Sequence, residues 1–171
     1  MELIYPYVRD RQLCSRAEFA ARHPAPVIVF KKLATAGQGE TQLAQVIDDA
    51  NAEIAKALRH EAHQYRLLRL AGGAHTIGRA PENALVLNDD SVSRQHAQIV
   101  VSAINVTVAD AGSDNGTWVL GADGNQKATT PVTLRDGDRV RFGRVITHFF
   151  APSGFFDFLS TLLDPRAAPG A

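Results

Sequence analysis

From Tyr65 to about Ala151 the chain runs in short segments in which apolar and polar residues alternate. They read "YRLLRL", "HTIGR", "ALVLN", "HAQIVVS", "INVTVAD", "TWVLG", "PVTLRDG", "DRVRFG" and "VITHFFAP". Turn clusters such as "AGG", "GSDNG", "GADGN" and "RDGD" separate them. A period of two, broken often by turn residues, predicts many short strands in an antiparallel sandwich or barrel. The flanks follow a different period. In "TQLAQVIDDANAEIAKALRHEAHQY", Leu43, Val46, Ile47, Ala50, Ile54 and Leu58 recur on one face, which predicts a helix over about 41–64. That stripe suits packing on the rest of the protein or on a second copy, a homodimer. It loses its apolar residues at Glu61 and Gln64, which argues against a coiled coil.

Earlier, "SRAEFAARHP" sets Ser15 and Glu18 at capping-box spacing, a short helix that Pro24 would stop. "PVIVF" (Pro26 to Phe30) is a compact β-branched strand. At the other end, "SGFFDFLSTLLDP" predicts a helix capped by Ser153 and stopped before Pro165, with Phe155, Phe156, Phe158, Leu159, Leu162 and Leu163 on one face. Its polar side lacks the basic residues of a membrane-surface helix, so the apolar side is expected to dock on the sandwich. Three parts result: an N-terminal accessory segment over 1–64, a β-sandwich over 65–152, and a C-terminal amphipathic helix with a disordered tail over 153–171.

Charge and composition narrow the chemistry. Lys plus Arg and Asp plus Glu both number 18 in 171 residues, which argues against a general nucleic-acid coat but permits a local basic cluster. A single cysteine, Cys14, excludes an internal disulfide and fits a reducing, cytoplasmic setting. No signal peptide or membrane-length span is present in the sequence. His60 and His63 miss the zinc-protease spacing by one place, "DGN" at 123–125 lacks the other ligands of a calcium loop, and "ATAGQGE" is not a phosphate-binding loop. Neither a metal nor a cofactor is expected. "RVRFGR" gathers Arg139, Arg141 and Arg144, but Asp136 and Asp138 beside them suggest an ordinary solvated strand face. Trp118 is expected in or near the core.

One stretch stands out. "NDDSVSRQHAQIVV" puts Ser93, Arg94 and His96 within four positions, between two strand-like runs. With Gly78-Arg79 before it, Asn115-Gly116 after it and Gly137-Asp138 further on, the ordered set resembles the forkhead-associated family over roughly half the chain, from about Tyr65 to Ala151. The resemblance implies a mainly β protein, an antiparallel sandwich of about eleven strands, here with an N-terminal helical and strand extension and a C-terminal helix. It also implies that loops at one end bind a phosphothreonine peptide.

Residue chemistry agrees with that implication. Phosphothreonine carries about −1.5 to −2 charges and three strong acceptor oxygens. Arg79 offers a planar fork of donors, Ser93 a hydroxyl, and Arg94 a second cation and a backbone N–H. Hydrogen bonds to a charged partner contribute about 1.5–3 kcal/mol each, so three of them, less the cost of association, give roughly micromolar binding. By family likeness Asn115 pairs with the peptide backbone, Gly116 lets the chain turn, and Thr117 starts the next strand, and the resemblance puts Asp114, Gly116 and Thr117 with Arg79, Ser93, Arg94 and Asn115 in the phosphopeptide-binding set. Gly78 and His96 support the loops. Asp114, placed about 8 Å from the phosphate, opposes a unit charge by only ~0.5 kcal/mol in water. Ser93 and His96 are no nucleophile and base, since no nucleophile elbow surrounds them. The expected function is therefore a non-enzymatic, bacterial-type signalling adaptor, whose partner is a phosphothreonine protein, either a serine/threonine kinase or its substrate. Nucleic acid and membrane are not expected partners. The alternative is a phosphorylation-independent scaffold or oligomerisation protein on the same fold.

Overall fold

The computed structural model describes residues 1–31 and 64–163. The helix predicted over about 41–64, with His60 and His63, falls outside the described residues but for residue 64. Twelve strands and three helices are present among them: β1 (Glu2–Leu3), α1 (Tyr5–Leu13), α2 (Arg16–Arg22), β2 (Val27–Lys31), β3 (Tyr65–Arg69), β4 (Gly73–Gly78), β5 (Leu85–Val86), β6 (Ala97–Val101), β7 (Val106–Asp110), β8 (Thr117–Gly121), β9 (Gly124–Lys127), β10 (Val132–Thr133), β11 (Arg139–Phe142), β12 (Val145–Phe150) and α3 (Pro152–Leu163). One sheet has the order β1-β3-β2-β12-β11-β8-β9 and the other β10-β7-β6-β4-β5. Every pairing is antiparallel except β4 with β5. The antiparallel sandwich expected from the alternating runs is the observed architecture.

Alternation decides what faces inward. Val140 and Phe142 of β11, Val119 of β8, Ile28 and Phe30 of β2, and Ile77, Ile99 and Val108 of the opposite sheet meet in the buried core between the two sheets. The intervening residues of the seven-stranded sheet point to its outer side. There Val27, Val29, Leu67 and Phe150 build a second core with Tyr7 and Val8 of α1, Phe19 of α2, and Phe155 and Leu159 of α3. The molecule thus has three layers: sheet, sheet, helices. Ring contacts knit the third layer, with Phe155 5.5 Å from Tyr7 and 5.9 Å from Phe19, and Phe158 stacked 4.8 Å from Phe150. Arg16 and Asp157 join α2 to α3 at 2.6 Å.

Two boundaries differ from the sequence reading. β2 lies between β3 and β12, inside the sheet, so the first 31 residues supply part of the sandwich rather than an appendage to it. Such pairing joins strands far apart in sequence and leaves no local signal. The C-terminal helix begins at Pro152, so Ser153 lies inside its first turn. The capping role falls to Asp136, whose carboxylate accepts the Ala151 N–H at 2.8 Å from the β10–β11 connection. In contrast, the capping box of α2 is present as read, with Ser15 N–H donating to the Glu18 carboxylate at 2.8 Å.

Removing residues 1–31 is therefore expected to abolish cooperative folding, although the family-like motifs all lie after residue 65. Within the intact chain, Phe155→Ala should cost about 3–5 kcal/mol, because its ring is 1 % exposed between two helices and a sheet. Ile104→Ala, at a 94 % exposed hairpin tip, should change stability by under about 0.5 kcal/mol. Urea unfolding followed by circular dichroism measures all three.

Candidate functional site

The motif residues occupy loops at one end of the sandwich. Residues 79–84 join β4 to β5, 87–96 join β5 to β6, 111–116 join β7 to β8, and Gly143 and Arg144 turn β11 into β12. Arg79 is exposed, its backbone N–H donating to the Ser93 carbonyl at 2.9 Å and its Nε to the Val92 carbonyl at 3.3 Å. The guanidinium therefore belongs to the Ser93 loop, and among the described residues its terminal nitrogens make no hydrogen bond. Gly78 must be glycine because a Cβ there would collide with the Arg94 carbonyl oxygen. That carbonyl is held by Ala80 N–H at 3.2 Å and by the buried Asn83 side chain at 2.7 Å. Arg94 itself is exposed.

His96 is fully buried and spans two loops. Its Nδ1 accepts the Ser93 N–H at 3.0 Å, which leaves the proton on Nε2, 3.2 Å from the Gly116 carbonyl oxygen. One imidazole thus fixes the Ser93 loop and the Asn115-Gly116 turn relative to each other. With both nitrogens engaged and no exposure, it cannot serve as a base for solvent-borne chemistry.

Three of the expected site residues are already engaged within the protein. Thr117 is buried, and its hydroxyl donates to Asp110 Oδ1 at 2.7 Å, so it anchors the loop rather than facing a ligand. Gly116 has φ +75°, a left-handed conformation that favours glycine, and both of its backbone groups are engaged, N–H with Ser113 Oγ and carbonyl with His96 and Gly143. Asp114 is no distant bystander: Ser93 Oγ donates to its carboxylate at 3.1 Å while its own N–H donates back to Ser93 Oγ at 3.1 Å. Any anion that takes the Ser93 hydroxyl must displace that carboxylate. Asn115 is exposed and donates one amide N–H to the Ser91 carbonyl at 2.9 Å.

Sequence reasoning missed the residues that set these loops. Asp110 accepts from Ser113 Oγ, Thr117 Oγ1 and the N–H groups of Gly112 and Ser113, closing the turn that carries Asn115. Burial alone would raise its carboxyl, but these donors outweigh burial and hold it below the usual carboxylate range. Asp89 accepts from Ser91 Oγ at 2.6 Å and Ser91 N–H at 2.8 Å, bonds that lower its carboxyl, and Ser91 Oγ in turn receives Arg144 N–H at 2.8 Å. An Asp followed two to three residues later by Ser is the available signal for both turns.

A model of the FHA domain matches residues 75–143, the stretch that holds every motif position described above. Residues 75–143 form a forkhead-associated domain. Among curated proteins, the transcriptional regulatory protein EmbR of Mycobacterium tuberculosis is 32 % identical over 116 residues, covering 68 % of this chain and 29 % of EmbR. The FHA domain-containing protein FhaB of M. tuberculosis is 36 % identical over 98 residues, covering 50 % of this chain and 61 % of FhaB. A solved FHA domain, that of CT664 from Chlamydia trachomatis, is 31 % identical, covers 50 % of this chain and 84 % of that one, and superposes with a TM-score of 0.45. The chain spans less than two thirds of the length of these curated relatives. Among the described residues no three His, Cys, Asp or Glu side chains gather as a metal site, and no helix is long and apolar enough to cross a membrane.

The lowered Asp110 carboxyl makes loop stability depend on acid. A carboxyl held below its unfolded value stabilises the fold above that value and loses the contribution as pH falls through the folded one. Asp110→Asn should therefore cost about 1–3 kcal/mol at neutral pH. The wild-type and variant stability curves should approach each other as pH drops below the ordinary value of 3.8, in urea titrations taken across that range.

Proposed function

We propose that this chain is a phosphothreonine-peptide recognition module, acting as a non-enzymatic adaptor for proteins marked by serine/threonine kinases. The observation that carries this reading is Arg79: an exposed guanidinium, bonded through Nε to the loop of Ser93 and, among the described residues, without a carboxylate partner. Arg79 and Arg94 supply the positive charge that a phosphate dianion requires, and Ser93 Oγ supplies a neutral donor.

In this reading Ser93 exchanges its bond to Asp114 for one to phosphate. Released from Ser93, the Asp114 carboxylate repels the incoming anion at short range, which keeps the phosphate contact reversible. Asn115, tethered through one N–H, retains its carbonyl oxygen and second N–H for the peptide backbone beside the phosphothreonine. Preference for phosphothreonine over phosphoserine follows if the threonine methyl fills a fitted space, a difference of roughly 10- to 200-fold. Kinase-marked partners in the cell interior, and the absence of catalysis, belong to the same reading.

Arg79→Ala should remove about 2–4 kcal/mol of binding, a loss of roughly thirtyfold or more, while leaving the unfolding midpoint nearly unchanged because the side chain is exposed. Calorimetry with a degenerate phosphothreonine peptide library, against its unphosphorylated and phosphoserine counterparts, measures this. Equal binding of phosphorylated and unphosphorylated peptides would instead favour a scaffold that ignores phosphate.

A further inference from the structure

Beyond the loops, one part of the outer sheet face carries charge that no carboxylate among the described residues neutralises. Trp118 projects from β8 to the outer side of the seven-stranded sheet. Register sets Lys127 of β9 on one flank of it and Arg141 of β11 on the other. Lys127 Nζ lies 5.9 Å and Arg141 Cζ 5.4 Å from the centre of the indole ring. The same row continues to Ile146 of β12, opposite Arg141 and 44 % exposed, and Arg139 stands one pleat along β11. The helical layer draws its buried cluster from β2, β3 and β12 and from none of β8, β9 and β11, so among the described residues no helix covers this half of the face.

The acids expected to offset these arginines are used elsewhere. Asp136 caps α3, and the buried Asp138 accepts the Arg135 N–H at 2.8 Å. Among the described residues, Lys127, Arg139 and Arg141 have no carboxylate at ion-pair distance. Two cations flanking one tryptophan, each within cation–π range of the ring, are an arrangement that stabilises the face without neutralising its charge. They are a good one for a ligand whose carboxylates reach both while its apolar atoms cover the ring and Ile146.

The row also adjoins the loop site. A Cβ built on Gly116 would lie 3.3 Å from Lys127 Cε and 3.4 Å from Trp118 Nε1. Arg141 Nη1 donates to the Gly143 carbonyl at 3.0 Å, and Gly143 N–H to the Gly116 carbonyl at 3.2 Å. An extended chain covers about 3.3 Å per residue, so a peptide held at Asn115 arrives over the indole within a few residues.

We propose that the Lys127–Trp118–Arg141 row, with Arg139 and Ile146, seats an acidic stretch of the same phosphorylated partner, flanking its phosphothreonine. The assignment rests on the phosphothreonine reading of the loops. Three cations on a chain of zero net charge suit a short run of carboxylates; a nucleic acid backbone needs more phosphate contacts for useful affinity. The Asp114 carboxylate is bonded to the Ser93 hydroxyl, so its repulsion acts first on the group that takes that hydroxyl. Arg141 is half-buried and held by its Gly143 bond, whereas the exposed Lys127 carries its charge on a flexible stem.

Calorimetry tests this with three phosphothreonine libraries: one without acidic residues, one with a short run of aspartates before the phosphothreonine, and one with the run after it. One of the two acidic libraries is expected to bind the wild-type chain about fivefold or more tighter than the neutral library at low salt, with the gain shrinking at high salt. The exposed-face double variant K127Q/R141Q should erase that gain and keep its affinity for the neutral library within about twofold. No gain from either acidic library, or a gain that survives in the double variant, overturns this surface while the loop site stands. A chain that binds none of the phosphorylated libraries overturns both. Tighter capture of single-stranded DNA than of the acidic peptides would reassign the row to nucleic acid and likewise overturn the proposal.

Discussion

The functional end of this protein depends on one buried imidazole. His96 receives the Ser93 N–H on Nδ1 and gives its own proton to the Gly116 carbonyl, so two loops from different parts of the chain share a single rigid brace. Neither 87–96 nor 111–116 contains helix or strand, so no ladder of backbone bonds fixes one loop against the other. Edge contact with Phe142, 5.9 Å away, fixes the ring from below. Loops can then carry exposed polar groups at defined positions without the whole rim being buried, which is what binding a small charged ligand demands. The Asp110 and Asp89 turns complete the frame by closing each loop on itself.

The outer sheet face shows a second division. Where β2, β3 and β12 present Val29, Leu67 and Phe150, the helices of both ends of the chain cover them. Where β8, β9 and β11 present Trp118, Lys127, Arg139 and Arg141, no helix among the described residues does. Apolar residues left in water would have been a liability, and cations placed beneath a helix would have cost desolvation. The boundary between the two halves runs along β12, where His148 is half-buried. Burial lowers its imidazole and neighbouring Arg139 lowers it further, consistent with a group at the dry margin of a positive field. The strand order, and not any local preference, decides which half each residue joins.

Much of this was legible in the sequence, and the failures have physical causes. The sandwich could be read because each strand alternates, and the loops because Gly78-Arg79, Ser93 to His96 and Asn115-Gly116 are short-range patterns. The site became harder to read where partners are distant. Nothing near Val27–Lys31 says that it will sit between β3 and β12. Nothing in "SGFFDF" says that Asp136, fifteen residues before Ala151 in sequence but beside it in space, will accept the N–H that leads into α3. The helix α1 has no apolar stripe, burying only Tyr7 and Val8, and β9 is wholly exposed, so both lack a periodic signal. Thr117 looked like a ligand contact from its place after Asn-Gly; its inward pleat sends the hydroxyl to Asp110 instead.

Zero net charge conceals the arrangement that matters. Arg16, Arg69 and Arg144 are paired with carboxylates on the surface, while Arg79, Arg94, Arg139 and Arg141 have no such partner among the described residues. Acids that could have paired with the second group are committed to backbone N–H groups: Asp110 to its own turn, Asp136 to α3, Asp138 to the β10–β11 connection. A carboxylate bound to backbone donors both shapes a turn and becomes unavailable to a neighbouring cation. The protein thereby gathers free positive charge at one end and along one adjoining strip without any excess of basic residues. Local occupation of its acids, and not bulk composition, leaves these cations without a carboxylate partner among the described residues.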